Sequence, residues 1–200
     1  MNVIVHLMFA VSVRKSVKKA QGISLNLPGF LFGNILPDIS KKYGSYPHYM
    51  KDALIHVVDS KDSLIYSKSN KSLSPYRFAK DLGAMNHYLS DFFCFPHTEE
   101  YHGSKAHHGL YELTMIARYK KGLRGFHSLL NEQSVPLKPG DLKSFIEEQN
   151  KTYAKNQVSG MNDIRYALFA GAKLSESMIT HSGALAKITS DNLLKVSYNA

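Results

Sequence analysis

The sequence predicts an all-α fold, and three observations carry that prediction. Apolar residues recur at helical spacing, as in Leu54, Ile55 and Val58 followed by Leu64 and Ile65. Little of the chain alternates with the period of two that a half-buried strand requires. A length of 200 residues with 44% hydrophobic side chains suffices to bury one core without disulfides or other staples. We therefore expect residues 1–200 to form a single multi-helix domain, without internal repeats or a long linker.

The elements follow in order. Asn2 to Lys19 is apolar nearly all round in its first three turns and turns basic at Arg14, Lys15, Lys18 and Lys19, where cations complement a helix dipole. It reads as a buried helix ending near Gly22. Pro28 and Gly29 open a second apolar piece, Phe30 to Leu36, closed by Pro37. Lys41 to Pro47 is a loop, Tyr49 to about Ser67 one or two helices, and Asn70 to Ser74 a polar connector. Ser74-Pro75 is a strong helix start, an N-cap followed by proline at the first helical position. That helix should run to about Phe95, where Pro96 ends it. Glu99 to Ala106 is a loop, and a helix over about His107 to Lys121 stops at Gly122. Asn131 to Gly140, with Pro136 and Pro139, is the longest loop. Helices over about Leu142–Asn156, Asn162–His181 and Gly183–Val196 complete the chain.

Composition narrows the function. Disordered, collagen-like and low-complexity classes are excluded by the hydrophobic content. A lone cysteine, Cys94, excludes an intramolecular disulfide framework and zinc held by clustered thiolates. The 25 Lys and Arg against 16 Asp and Glu give a net charge of +9, which favours anionic partners. Ten histidines are the outlier in a chain this short and point to imidazole chemistry. Asn2 to Val13 is apolar, yet no positive charge precedes it, His6 interrupts it and the basic cluster follows it, the reverse of a secretory signal. No stretch approaches the ~18 uninterrupted apolar residues of a membrane span. These features predict a cytoplasmic chain with Met1 at or near its mature terminus.

The chemistry concentrates between His87 and Glu112. His87 and Asp91 stand at i and i+4 of the strong helix, on one face and about 6 Å apart along its axis, so both reach one metal ion. His108 and Glu112 repeat the spacing on the next helix, and His97, just after the proline break, can swing toward them. Imidazole and carboxylate without thiolate suit zinc first and leave manganese or iron open. One such pair alone is more often a surface or capping pair. Asp38, in Gly33-Asn-Ile-Leu-Pro-Asp38, reads equally as a turn residue. His48, in Pro47-His48-Tyr49, reads as a solvated loop histidine, and His6 as a hydrogen-bonded core histidine. Phe92, Phe93 and Phe95 read as core.

Taken together, this set resembles the zinc-dependent phospholipase C family, which is related to the P1-type single-strand nucleases. That family pairs His-x3-Asp-x5-His with a downstream His-x3-Glu or His-x3-Asp. An earlier Pro-Asp or Gly-Asp carboxylate, a His followed by an aromatic residue and a His near the N-terminus complete the pattern. Here these are His87, Asp91 and His97; His108 and Glu112; Asp38; His48 before Tyr49; and His6. His56 competes with His48 but lacks the following aromatic. The resemblance covers roughly Met1 to Glu112, and no motif follows Leu113.

It implies an all-α fold of the phospholipase C and P1 nuclease type, with a metal cluster between central helices and two or three Zn2+ ions. One ion would bind Asp38, His48, His87 and Asp91, and a second His97, His108 and Glu112. Asp91 would bridge to a third, completed by His6 and the amine and carbonyl of the first residue, where secreted members expose a tryptophan and this chain has Met1. The implied activity is phosphodiester hydrolysis, with a metal-activated hydroxide attacking phosphorus in line and Asp38 orienting the water or serving as general base. The substrate would be a phospholipid headgroup, with contact at a membrane surface. The other readings are a P1-type nuclease acting on nucleic acid, and a non-catalytic metal-binding protein on the same fold. No tryptophan is present to serve an interfacial belt, and 200 residues leave no space for the lipid-binding second domain of longer members.

Overall fold

The computed structural model describes residues 1–66 and 73–182, and all regular structure among them is helical. The first helix, α1 (Val3–Gln21), starts where the Asn2 side chain accepts the Val5 N–H. It ends at Gly22, whose φ of 71° lies in the left-handed region that glycine adopts without strain. Its burial differs from the expectation: Val5, His6, Phe9, Val13 and Val17 face the core, whereas Val3, Ile4 and Val11 are exposed.

The second helix, α2 (Leu27–Ile39), continues through Pro37 instead of closing there. A proline in the last turn removes a single hydrogen bond, to the carbonyl four residues back. Packing outweighs that loss. A Cβ on Gly33 would lie 2.0 Å from the Lys80 carbonyl oxygen and 2.9 Å from the Gly83 Cα, so the backbones of α2 and its neighbour touch.

That neighbour is α4 (Pro75–Asp91), which follows the single helix α3 (Met50–Tyr66). The Ser74 hydroxyl accepts the Arg77 N–H, as the Ser-Pro start predicts. The helix stops at Asp91, short of Phe95, because tertiary partners replace helical ones. The Phe92 carbonyl accepts from Asn150 Nδ2 at 2.8 Å, and the Phe95 N–H donates to Asp163 Oδ2 at 3.1 Å. Pro96 sits inside a 3₁₀ turn, Phe95–His97.

Next comes α5 (Lys105–Glu132), capped by Ser104 and running well past Gly122. Gly122 is a packing residue, not a stop: a Cβ there would come within 2.6 Å of the Ile164 side chain. A 3₁₀ turn at Pro139–Asp141 leads into α6 (Leu142–Ala154), and α7 (Gly160–His181) follows. The helix expected over 183–196 lies outside the described residues, as does most of the 70–74 connector.

The centre is α4 packed on α7. Every residue from Met85 to Asp91 is buried, and α7 is buried on nearly every face. Asn86 Nδ2 donates to Ser175 Oγ at 3.1 Å across this contact. Around the pair, α2 and α3 pack on α4, α5 and α6 on α7, and α1 on α2 and α7. Phe92 and Phe93 are core, as expected, and Phe95 is half-buried. No described helix is long and apolar enough to cross a membrane.

Candidate metal centre

The last turn of α4 contributes His87 and Asp91, both with no solvent exposure. The start of α1 brings the Met1 amine and His6, also buried. The last turn of α2 brings Asp38, and the loop before α3 brings His48. His97 comes from the 3₁₀ turn after α4, and His108 and Glu112 from the first turns of α5. All eight residues expected from the sequence thus meet at one place.

Four donor atoms form its most compact part. His48 Nδ1 lies 2.9 Å from Asp91 Oδ2, 3.8 Å from Asp38 Oδ1 and 3.4 Å from His87 Nε2. His87 Nε2 lies 3.4 Å from Asp91 Oδ2 and 3.6 Å from Asp38 Oδ1. Ligands bound tetrahedrally to one zinc at its usual bond lengths stand about 3.3 Å apart, so these separations match a shared ion. Asp91 Oδ1 turns the other way, hydrogen-bonded by the Met1 amine and 3.5 Å from His6 Nε2. Beyond it, Glu112 Oε1 lies 2.8 Å from His108 Nε2, 3.3 Å from His97 Nε2 and 3.3 Å from the Met1 amine.

Hydrogen bonding tests whether the residues fit a cation. The single Ser90 hydroxyl hydrogen goes to the His87 carbonyl at 2.8 Å, so at 3.1 Å Ser90 Oγ must accept from His6 Nδ1. The His6 lone pair is then on Nε2, buried without a hydrogen-bond partner and facing a carboxylate oxygen. Likewise, His87 Nδ1 donates to the Asn34 carbonyl at 2.8 Å, which leaves its Nε2 lone pair toward Asp38 and Asp91. Two acceptors aimed at each other in a dry site need a cation between them, and the backbone and hydroxyl partners fix the ligand tautomers. The donor set therefore fits a metal ion.

The electrostatics fix which of these groups carry charge. Burial pushes the pKa of His6 well down, and that of His87 down, so both rings are neutral. Burial would raise the Asp91 carboxyl, yet the Met1 amine and, after it, His97 hold it well below the usual carboxylate range. Glu112 is likewise opposed by burial but lowered to about 2 by His97, the amine and His108. Burial opposes the charged amine of Met1, and Asp91 and its neighbours outweigh that and lift it to about 11. Burial also works against a charged His48, but the bond to Asp91 holds its pKa above the usual value.

Several supporting residues carried no signal in the sequence. Asp163, fully buried on α7, accepts from the Phe95 N–H and from the hydroxyls of Tyr111, at 2.8 Å, and Tyr153, at 2.9 Å. It thereby ties the turn bearing His97 to the helix bearing Glu112. Tyr88 donates to the Tyr43 carbonyl at 2.6 Å and packs edge-on against His48. His56 stays outside the cluster, stacked on Tyr46 at 4.2 Å between ring centroids, which steadies the His48 loop. Cys94 joins His97 and Glu112 in a third potential ligand group, beside His6, His87 and Asp91 and beside Asp38, His48 and His87. Burial holds its thiol well above its usual pKa, in the protonated form. Next to His97 opens a cavity of about 300 Å³, walled by Tyr49, Phe95, Asn150 and Tyr153.

A family model described as zinc dependent phospholipase C matches residues 5–160, a span that includes all eight cluster residues. No curated protein and no solved structure matches the chain.

Proposed function

The chain belongs to the zinc-dependent phospholipase C family, and on that premise we propose that its cluster hydrolyses the phosphodiester bond of phospholipid headgroups. The four-donor set of Asp38, His48, His87 and Asp91, with separations of 2.9–3.8 Å, is the observation that carries this reading. Those residues would hold one zinc; His97, His108 and Glu112 a second; and His6, Asp91 and the Met1 amine a third. Zinc at such a site supplies Lewis acidity toward phosphoryl oxygens and lowers the pKa of water. The single domain expected over residues 1–200 is taken to include α7, which forms its centre beyond the last ligand.

The chain's own residues divide the remaining work. Asp91 and Glu112 are too enclosed to exchange protons with bulk water, and their histidine partners keep them ionised. Asp38 is 25% exposed at the edge of the cluster, the one carboxylate of the set within reach of an arriving water. We assign it the role of orienting that water and accepting its proton. The cavity beside His97 would take the group esterified to the phosphate.

Purified protein, loaded with zinc and assayed on bis(p-nitrophenyl) phosphate, tests the reading. Hydrolysis that tracks metal content by elemental analysis, and that is lost in Asp38→Asn, is the expected result. Protein that binds zinc stoichiometrically and hydrolyses neither this ester nor phospholipid would return the cluster to a non-catalytic role.

A further inference from the structure

Surface helices turn polar residues outward, and α2 does not. Its inner face, Phe30, Gly33, Asn34 and Leu36, lies against α4. Its outer face presents Leu27, Phe32 and Ile39, exposed by 37%, 39% and 61%, with Ile35 half-buried between them. No charged residue occurs from Leu27 to Pro37. Beside α2, α1 exposes Val3, Ile4 and Val11. Met1 and His6 at the start of α1 and Asp38 at the end of α2 all meet in the cluster, so the two helices run antiparallel and the apolar face of α2 ends, at Ile39, beside the cluster.

Charge identifies what covers it. No acidic residue precedes Asp38 in the chain. Arg14, Lys15, Lys18 and Lys19 continue α1 beyond Val11, and Lys41 and Lys42 follow α2 directly. Exposed apolar side chains with cations following both helices are the signature of a helix surface lying in a lipid headgroup layer. Thirteen residues make α2 too short to span a bilayer. Nucleic acid would leave the apolar side chains in water, and a second copy of this face would set cationic segments against each other.

We propose that the outer face of the α1–α2 pair docks on a membrane surface carrying anionic lipid. Leu27, Phe32 and Ile39 enter the headgroup region, while Lys41, Lys42 and the exposed Lys15, Lys18 and Lys19 of α1 meet lipid phosphates. This deepens the phospholipase reading and rests on it for its purpose, since docking brings the Asp38 edge of the cluster to headgroup level.

The test is co-sedimentation with vesicles of phosphatidylglycerol and phosphatidylcholine, with hydrolysis of bis(p-nitrophenyl) phosphate followed in parallel. Wild type should sediment with the mixed vesicles, more weakly with phosphatidylcholine alone and at high salt. Phe32→Asp and the pair Lys41→Glu, Lys42→Glu should each lose at least about tenfold in partitioning, with hydrolysis of the soluble ester unchanged. Should Phe32→Asp fail to fold, Phe32→Ser and the lysine pair carry the comparison. The proposal is overturned if wild type stays in the supernatant, or if the variants sediment like wild type. It is equally overturned if single-stranded oligonucleotides are retained and vesicles are not, or if Phe32→Asp converts a dimer into a monomer without vesicles. Vesicle binding as expected, without hydrolysis of any phosphodiester, would sink the phospholipase reading and leave the docking surface standing.

Discussion

Asp91 has no solvent exposure, and its two oxygens face different partners, Oδ1 toward the Met1 amine and His6 and Oδ2 toward His48 and His87. A residue shared in this way couples the ligand sets it joins. Asp91→Asn should therefore lose more metal per chain than His108→Ala, which touches one ligand set; equal losses by elemental analysis would contradict a bridging role. Asp163 couples elements instead of ions. Asp163→Ala strands three buried donors and should cost about 3 kcal/mol or more in urea melts. Its titration gives a second measure. Burial lifts the Asp163 carboxyl from 3.8 to about 6, against the hydrogen bonds it accepts. The native chain thus keeps a proton that the unfolded chain has already released. That contribution is complete below about pH 4 and is lost as the pH rises through about 6, a change of about 3 kcal/mol. Asp163→Asn lacks the titration, so the stability advantage of wild type over this variant should shrink across that interval, and a pH-independent difference would refute the assignment. The sequence exposed these residues unequally. His87 with Asp91 and His108 with Glu112 were legible because helical spacing alone puts each pair on one face. Asp38, His48 and His6 needed the family pattern, since a turn carboxylate, a loop imidazole and a core imidazole each have an ordinary explanation. Asp163 was invisible, because a first-turn aspartate resembles any helix-start residue until its three donors arrive from distant segments.

Among the elements, the contact of α2 with α4 decides whether Asp38 reaches His87. It depends on Gly33 and Gly83, whose backbones meet where a Cβ would clash with the Lys80 carbonyl. Gly33→Ala should destabilise the fold by at least about 2 kcal/mol and reduce metal bound per chain, measured by thermal melts alongside elemental analysis. Unchanged stability would mean that the helices can separate freely. Helix starts were readable, Ser74-Pro75 above all, because capping is a local chemistry. Helix ends were not. Gly122 and Pro37 carry the residue types of a terminus, yet each sits inside a helix, and α4 ends without a breaker because Asn150 and Asp163 capture the next backbone groups. Such partners come from α6 and α7, beyond any local window.

At the scale of the molecule, the cluster fastens α1, α2, α4, α5 and two connecting segments. Bound metal should therefore raise the stability of the whole. Chelation should lower the Tm by roughly 10 °C, reversed by added zinc, and a Tm indifferent to chelator would show that the fold stands without its ions. The same geometry sets a timetable. The ligands run from His6 to Glu112, and the Asp163 that steadies them lies farther along still. A chain emerging from the ribosome carries its first imidazole long before the partners of that imidazole exist. The four donors of the compact set are all present once residue 91 has been made, whereas the group of His97, His108 and Glu112 waits for residue 112, so synthesis halted between the two would yield a product that lacks the second group of ligands.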